Sequence, residues 1–402
     1  MFKHLDRRYL SVLANYLLVG ICELIDTAFS NRISLDTICV MSAYFTVITC
    51  SLVIYQVGSY AYRVLKSNEK YCLTIGFITS CIEGILIFIF ADNIASVFSF
   101  TDFQMELLAK CLRIYAVSIG LFQIGDFTYG YSLLNSKNME MLVCNIIYYI
   151  LLIGTDVLVV VFHGGLAELI LCTSLSYAVY DPFVVILSGI LKSNEKYRKG
   201  LVKDILKHGI NTCIGRIADR LSNLVYNMLI SSLGTEMYAI HGVCRSIASF
   251  TEHFTNGFYT YLMVDICQVE NVKERLSRCY ELIKEKFIVT IIMCYTFCFV
   301  MLIAIHGKVK LIDCLPYVGL YCLQFIPTIF YETLKAYLST VKKSKYFIFA
   351  GLIGLLTEPI VCFIAIKTGL DLWLISLVIS IDIGCRALFY IKCARDFAEK
   401  NA

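Results

Sequence analysis

Apolar runs of about twenty residues or more recur roughly every thirty residues along the chain, each closed by a short charged or polar break. About twenty apolar residues is what a helix needs to cross a bilayer. Within lipid every backbone polar group must be satisfied locally, so each run reads as a helix. The pattern predicts twelve spans, over 9–30, 37–62, 71–98, 107–135, 139–163, 165–190, 205–233, 237–264, 284–306, 311–340, 345–366 and 370–392. The expected fold class is therefore an all-α polytopic membrane protein. Its expected division is a six-helix N-terminal bundle over 1–190, a cytoplasmic linker with the start of helix 7 over 191–207, and a six-helix C-terminal bundle over 208–402.

Composition agrees with the pattern. Of 402 residues, 58% are hydrophobic and 16% charged, with a mean hydropathy of +0.73. Soluble domains are less apolar and more charged, so a soluble enzyme, a nucleic-acid binder and a disordered scaffold are excluded together. The net charge of +4 is a matter of topology rather than of an anionic partner. Loops on one side of the predicted spans carry 24 Lys and Arg, against four on the other: Arg32, Lys308, Lys310 and Lys367. The positive-inside rule then places both termini in the cytoplasm of a cell-membrane protein. MFKHLDRRYL leads straight into the first span without a cleavage site of small residues.

The nineteen cysteines are scattered through apolar runs without metal-ligand spacing and read as small buried hydrophobes. The six histidines show no metal spacing, and there is no GxxxxGK[ST] phosphate loop. Neither an intramembrane enzyme nor an ATP-driven pump is expected, nor any cofactor beyond a coupling ion.

Ionisable residues inside spans carry more information, because each costs about 2.5–3.5 kcal/mol at bilayer depth and needs a partner or a purpose. The first half holds Glu23, Asp26, Glu83, Asp126 and Asp156, with no base near its centre. Such carboxyls are expected to be protonated, to bind a cation, or to alternate between the two. Glu23 and Asp26 are three apart and share a helix face. Asp26, Asp156, Glu23 and Asp126 are therefore the candidate cation- or proton-binding residues, and Glu83 reads as helix packing. In the second half Arg216 with Asp219, Glu332 with Lys335, and Asp382 with Arg386 are spaced to pair along single helices. Asp219 and Glu332 form a possible second site.

The two halves share an order of features at an offset near 200. An aromatic-rich helix end and a Lys-containing turn lead into an apolar helix with one acid (Asp156, Glu358), then a Gly-Leu turn. Six helices per half give both halves the same orientation, as in parallel-repeat secondary transporters.

ELIDTAFSNRISLDTICVMSAYF (23–45) resembles the helix 1–2 signature of the MATE (multidrug and toxic compound extrusion) family, and NLVYNMLISSLGTEMYAIHGVCRSIASFTEHFTNGF (223–258) its helix 7–8 signature. GYSLLNSKNMEMLV, GTDVLVVV and GGLAELI are similar to its helix 4–6 segments. The resemblance implies a V-shaped pair of bundles exporting an amphipathic or cationic organic compound in exchange for H⁺ or Na⁺, working as a monomer in the bilayer. It matches Asp26 to the helix 1 acid, Asp156 to the helix 5 acid, and Asp219 to a helix 7 carboxylate of one branch.

The departures are specific. Leu152 stands at the Asn position before the helix 5 acid, and Ile170 at the helix 6 Thr position, with Thr173 and Ser174 a turn later. Thr328 falls at the helix 10 acid position, with Glu332 one turn on. Helix 1 has no Pro; prolines occur only at 182, 316, 327 and 359. Fewer neutral oxygen ligands favour H⁺ over Na⁺. The rival readings are a flippase for a lipid-linked saccharide, with a cationic site from Arg216, Arg220 and Arg245, and a non-transporting membrane partner of a biosynthetic or secretion locus.

Overall fold

A computed structural model describes residues 7–65, 67–135, 137–192, 199–249, 266, 269, 271–305, 307–341 and 345–400. Side chains at some helical positions, Glu23 and Asp219 among them, lie outside the described set. The described secondary structure is helical throughout: α1 (Arg7–Ile33), α2 (Leu35–Tyr55), α3 (Val57–Leu65), α4 (Glu69–Ala95), α5 (Asp102–Leu134), α6 (Asn138–Val161), α7 (Leu166–Ser188) and α8 (Leu201–Ser231). Then come α9 (235–249), α10 (Val272–Ala304), α11 (Leu311–Tyr321), α12 (Phe325–Thr340), α13 (Lys345–Lys367), α14 (Leu372–Ile375) and α15 (Leu377–Lys400). Each expected span has a helical counterpart; residues 250–264 of the eighth lie outside the described residues.

Eight of the described helical stretches are both long and apolar enough to cross a membrane. Helix α8 is less apolar, because it carries charges such as Arg216 and Arg220. Large apolar side chains point outward, as lipid-facing surfaces require: Ile78, Ile82, Ile85, Leu86 and Ile89 of α4 are all exposed. The opposite face of α4 carries Gly76, Ser80, Glu83 and Gly84, all buried. Small residues at a helix interface let backbones approach closely where the hydrophobic effect gives no drive.

Three expected spans are interrupted, among them the twelfth, at Ser376 between α14 and α15. The second breaks at Gln56, between α2 and α3. The tenth breaks at a 3₁₀ turn, Cys322–Gln324, between α11 and α12. Pro327 explains the latter: it has no N–H to return to the Leu323 carbonyl, so the helix tightens before it. The ninth expected span begins well before its predicted start. Helix α10 begins at Val272 rather than 284, capped by the Asn271 side chain, which accepts from the Lys273 and Glu274 N–H groups. Leu276, Cys279 and Leu282 make its early turns amphipathic, and they pack with Tyr331, Leu334, Tyr337 and Tyr390 in one buried cluster.

Contacts divide the chain into two compact units. The continuous unit is Ile33–Ile217; the split unit joins Met1–Arg32 to Ala218–Ala402. Helix α1 thus belongs with the C-terminal helices, and the first half of α8 with the N-terminal ones. A specific set of bonds fastens α1 within the split unit. Asn31 Nδ2 donates to the Ile305 carbonyl at 3.3 Å, and its Oδ1 accepts from the Val309 N–H at 2.9 Å. The Lys308 N–H donates to the Asn31 carbonyl at 2.8 Å. The side chain of Asn31 therefore supplies backbone bonds that the turn between α10 and α11 cannot make for itself.

Candidate functional site

In the continuous unit the interior joins carboxyls to tyrosines. Gly125 and Asp126 are adjacent on α5, while α7 carries Tyr177 and Asp181 one turn apart, with Pro182 next. Gly125 is needed for the approach of α7: a Cβ there would lie 2.9 Å from the Tyr177 ring and 3.0 Å from Asp181 Oδ1. Asp181 is 4% exposed, and neither carboxyl oxygen has a hydrogen-bond partner among the described residues. Asp126 is half-buried on the next position of α5 and is a charged neighbour of the buried Tyr55.

Aromatic rings run on from there. Phe122 and Tyr177 have centroids 4.6 Å apart, Tyr148 and Tyr177 4.8 Å, Tyr148 and Tyr180 5.2 Å, and Tyr115 and Phe122 5.5 Å. The Tyr180 hydroxyl donates to Asn145 Oδ1 at 2.8 Å. At the far side Tyr115 Oη and Ser51 Oγ lie 2.9 Å apart, and Ser51 borders the buried Glu83. This gives four helices (α2, α5, α6 and α7) that present π-faces beside two carboxyls. Such an arrangement favours an organic cation, which the ring quadrupole and the acids attract together.

Asp156, on α6, is fully buried and has a different setting. Its neighbours are Thr155 and Cys172 of α7, and the Thr155 hydroxyl donates to the Leu152 carbonyl at 2.8 Å. Asp126 and Asp156 therefore sit in separate environments within one unit. Ser174, a turn after Ile170, bonds Ser118 at 2.9 Å. Asp26 belongs to the split unit, where its neighbour in sequence, Thr27, bonds Ser246 of α9 at 2.7 Å. Glu23 and Asp219 lie outside the described side chains.

The split unit holds a second polar interior. Arg245 donates to Asn223 Oδ1 at 2.8 Å and to Asn227 Oδ1 at 2.9 Å. The same Asn227 oxygen lies 3.1 Å from His241 Nε2, and His241 Nδ1 lies 2.5 Å from the Tyr317 hydroxyl. An amide oxygen can only accept, so Nε2 carries a proton toward Asn227. Deeper along α8, Ser222 bonds Glu358 of α13 and the Gly354 carbonyl. Asp382 and Arg386 of α15 pair at 2.5 Å, and Thr357 donates to Asp382.

The intrahelical pairs expected from spacing are present where they are described. Lys335 Nζ reaches Glu332 Oε1 at 3.2 Å and lies over the Tyr331 ring. Arg216 donates to the Tyr60 hydroxyl at 3.1 Å, with its guanidinium 4.9 Å from that ring's centroid. Cys244 has Cys298, Cys314 and Cys322 as neighbours. No group of three or more His, Cys, Asp or Glu among the described residues is arranged to hold a metal ion, and the described cysteines are free thiols.

Sequence reasoning missed Asp181, His241 and the Asn223–Asn227 pair. Asp181 could have been found by the criterion applied to the other acids: it stands in the apolar run SYAVYDPFVV directly before a proline.

Comparison of the whole chain with known proteins places this geometry. No protein-family model matches the sequence, and no curated protein does. Solved structures do match. An inward-facing multidrug resistance MATE family transporter of the MOP superfamily superposes with a TM-score of 0.79 at 13% identity, over 97% of this chain and 98% of that one. The chain has the MATE fold. An outward-facing MATE transporter matches with a TM-score of 0.74 at 14% identity, covering 98% of this chain and 95% of its own. The lipid II flippase MurJ, in an inward closed conformation, matches at 0.66 with 17% identity over 96% and 87%. With the run of membrane-length helices, the MATE fold makes this a multi-pass membrane protein.

Proposed function

We propose that the chain is a secondary active transporter that exports an amphipathic or cationic organic compound in exchange for H⁺ or Na⁺. The observation that carries this reading is the buried carboxyl of Asp181, held against Gly125 beside Asp126 and flanked by linked tyrosine rings in the continuous unit. Aromatic faces and carboxyls together suit an organic cation, and a carboxyl that exchanges a proton or a metal cation supplies the ion coupling. The MATE fold supports a carrier of this kind. We place the protein in the cell membrane with both termini cytoplasmic, acting as a monomer, and prefer H⁺ because Leu152 and Ile170 stand at positions where the family resemblance implies neutral oxygen ligands.

The test is uptake of a fluorescent organic cation into proteoliposomes under a pH gradient and, separately, a Na⁺ gradient. Wild type, Asp26→Asn, Asp126→Asn and Asp181→Asn are compared at matched insertion. Drive by the pH gradient, lost in at least one acid variant, supports the proposal with H⁺ as coupling ion. Drive by Na⁺ alone supports antiport and overturns the choice of H⁺. Absence of transport under both gradients, with well-folded protein, overturns antiport in favour of a flippase, the activity carried by MurJ.

A further inference from the structure

The split unit contains a carboxyl whose bonding pattern is set by a single hydroxyl proton. Ser222 Oγ lies 2.8 Å from the Gly354 carbonyl and within bonding distance of Glu358 Oε2. A serine hydroxyl has one proton to give. The Gly354 carbonyl can only accept, so Ser222 donates to it. The bond between Ser222 and Glu358 then needs its proton from the carboxyl. We infer that Glu358 is a proton-binding site of the split unit, and that the arrangement seen is its proton-bound form.

The surroundings make the opposite form accessible as well. Facing Glu358 are Ser222 and Tyr226 from α8, Arg245 from α9, Asp382 and Arg386 from α15, and Cys362 from its own helix. Glu358 is 4% exposed, and among the described residues no basic nitrogen lies in ion-pair range of it, whereas Asp382 is paired with Arg386. With Glu358 neutral, the cluster of Asp382, Arg386, Arg245 and Glu358 has a net charge of one positive unit. Loss of the proton brings it to zero and leaves a carboxylate that only accepts. Ser222 must then turn its proton from Gly354 to Glu358. Proton exchange thus rewires the bond between α8 and α13 without breaking it. The inference does not depend on which ion drives transport, nor on the acids of the continuous unit.

Infrared difference spectroscopy on the purified full-length protein in lipid nanodiscs tests this directly. Glu358→Gln keeps a donor toward Ser222, because its carboxamide N–H replaces the acid O–H, so it should fold with unchanged thermal stability at neutral pH. The wild-type minus Glu358→Gln spectrum should show the C=O stretch of one protonated carboxyl in acidic buffer, converting to a carboxylate band as pH rises. Ser222→Ala should move the same C=O stretch, since the acid loses its acceptor. A difference spectrum with carboxylate intensity alone at every pH would overturn the inference. So would a C=O band that never titrates, or one that Ser222→Ala leaves in place.

Discussion

Thr27, the residue after Asp26 on α1, shares a 2.7 Å hydrogen bond with Ser246 of α9, 219 positions away in the chain. The bond fixes the α1 face next to Asp26 against one partner helix inside the split unit. A part-buried hydroxyl pair contributes about 1 kcal/mol net. Thr27→Val and Ser246→Ala should each lower stability by about that amount, and the double variant by little more than either alone, because both remove the same bond. Thermal unfolding of the purified protein in one detergent measures all three.

Asn31 should prove more costly to change. Its side chain holds the Ile305 carbonyl and the Val309 N–H, two backbone groups that no helix serves at that turn. Asn31→Ala leaves both unsatisfied, at about 1–3 kcal/mol each. Asn31→Asp keeps the acceptor for Val309 and loses only the donor to Ile305, so it should fall between wild type and Ala. The ordering in melting temperature, wild type above Asp above Ala, is the check; an Asp variant as weak as Ala would assign the whole effect to Ile305.

How far the sequence alone reaches is visible in these same residues. The spans were legible because hydropathy is a one-dimensional signal that lipid imposes on every helix in turn. The pairs at i, i+3 and i, i+4, such as Lys335 with Glu332 and Arg386 with Asp382, were legible for a similar reason: one helix fixes both partners. Ser222 and Glu358 are 136 positions apart, and nothing local says that they meet. The break at Cys322–Gln324 could be read from Pro327, whereas the one at Gln56 has no proline to announce it. The placement of α1 with the C-terminal helices depends on Asn31 and Thr27, two ordinary polar residues whose partners only the folded chain reveals.

The acid cluster of the continuous unit gives a prediction that separates binding from folding. Asp181 makes no hydrogen bond among the described residues, so Asp181→Asn removes no contact that holds the helices and should leave the melting temperature unchanged or raise it. Transport of an organic cation should nevertheless drop tenfold or more if Asp181 supplies charge to the bound ligand. Gly125→Ala acts by sterics: the added Cβ meets Tyr177 and Asp181 at 2.9 and 3.0 Å, and overpacking of this kind costs about 1–3 kcal/mol. Binding of a fluorescent organic cation, read alongside thermal stability, should show affinity lost in Asp181→Asn without instability, and both lost in Gly125→Ala.

The Asp382–Arg386 pair should behave in the opposite way. Both residues are buried, at 2% and 7% exposure, and the guanidinium occupies the space above Gly354, where a Cβ would collide with it. Removing one member leaves the other charge uncompensated, which costs about 3–5 kcal/mol, while replacing both with apolar residues of similar size is often neutral or stabilising. Asp382→Asn and Arg386→Met should each destabilise strongly, and the double variant Asp382→Leu with Arg386→Met should recover most of the loss. Gly354→Ala should destabilise the wild-type chain but be tolerated better beside Arg386→Met, whose flexible thioether can move off the added methyl. Unfolding temperatures of the four variants and of the Gly354→Ala/Arg386→Met combination decide it: a double variant no more stable than its singles would mean that the pair does more than neutralise itself, and that its charges serve the Glu358 cluster as a whole.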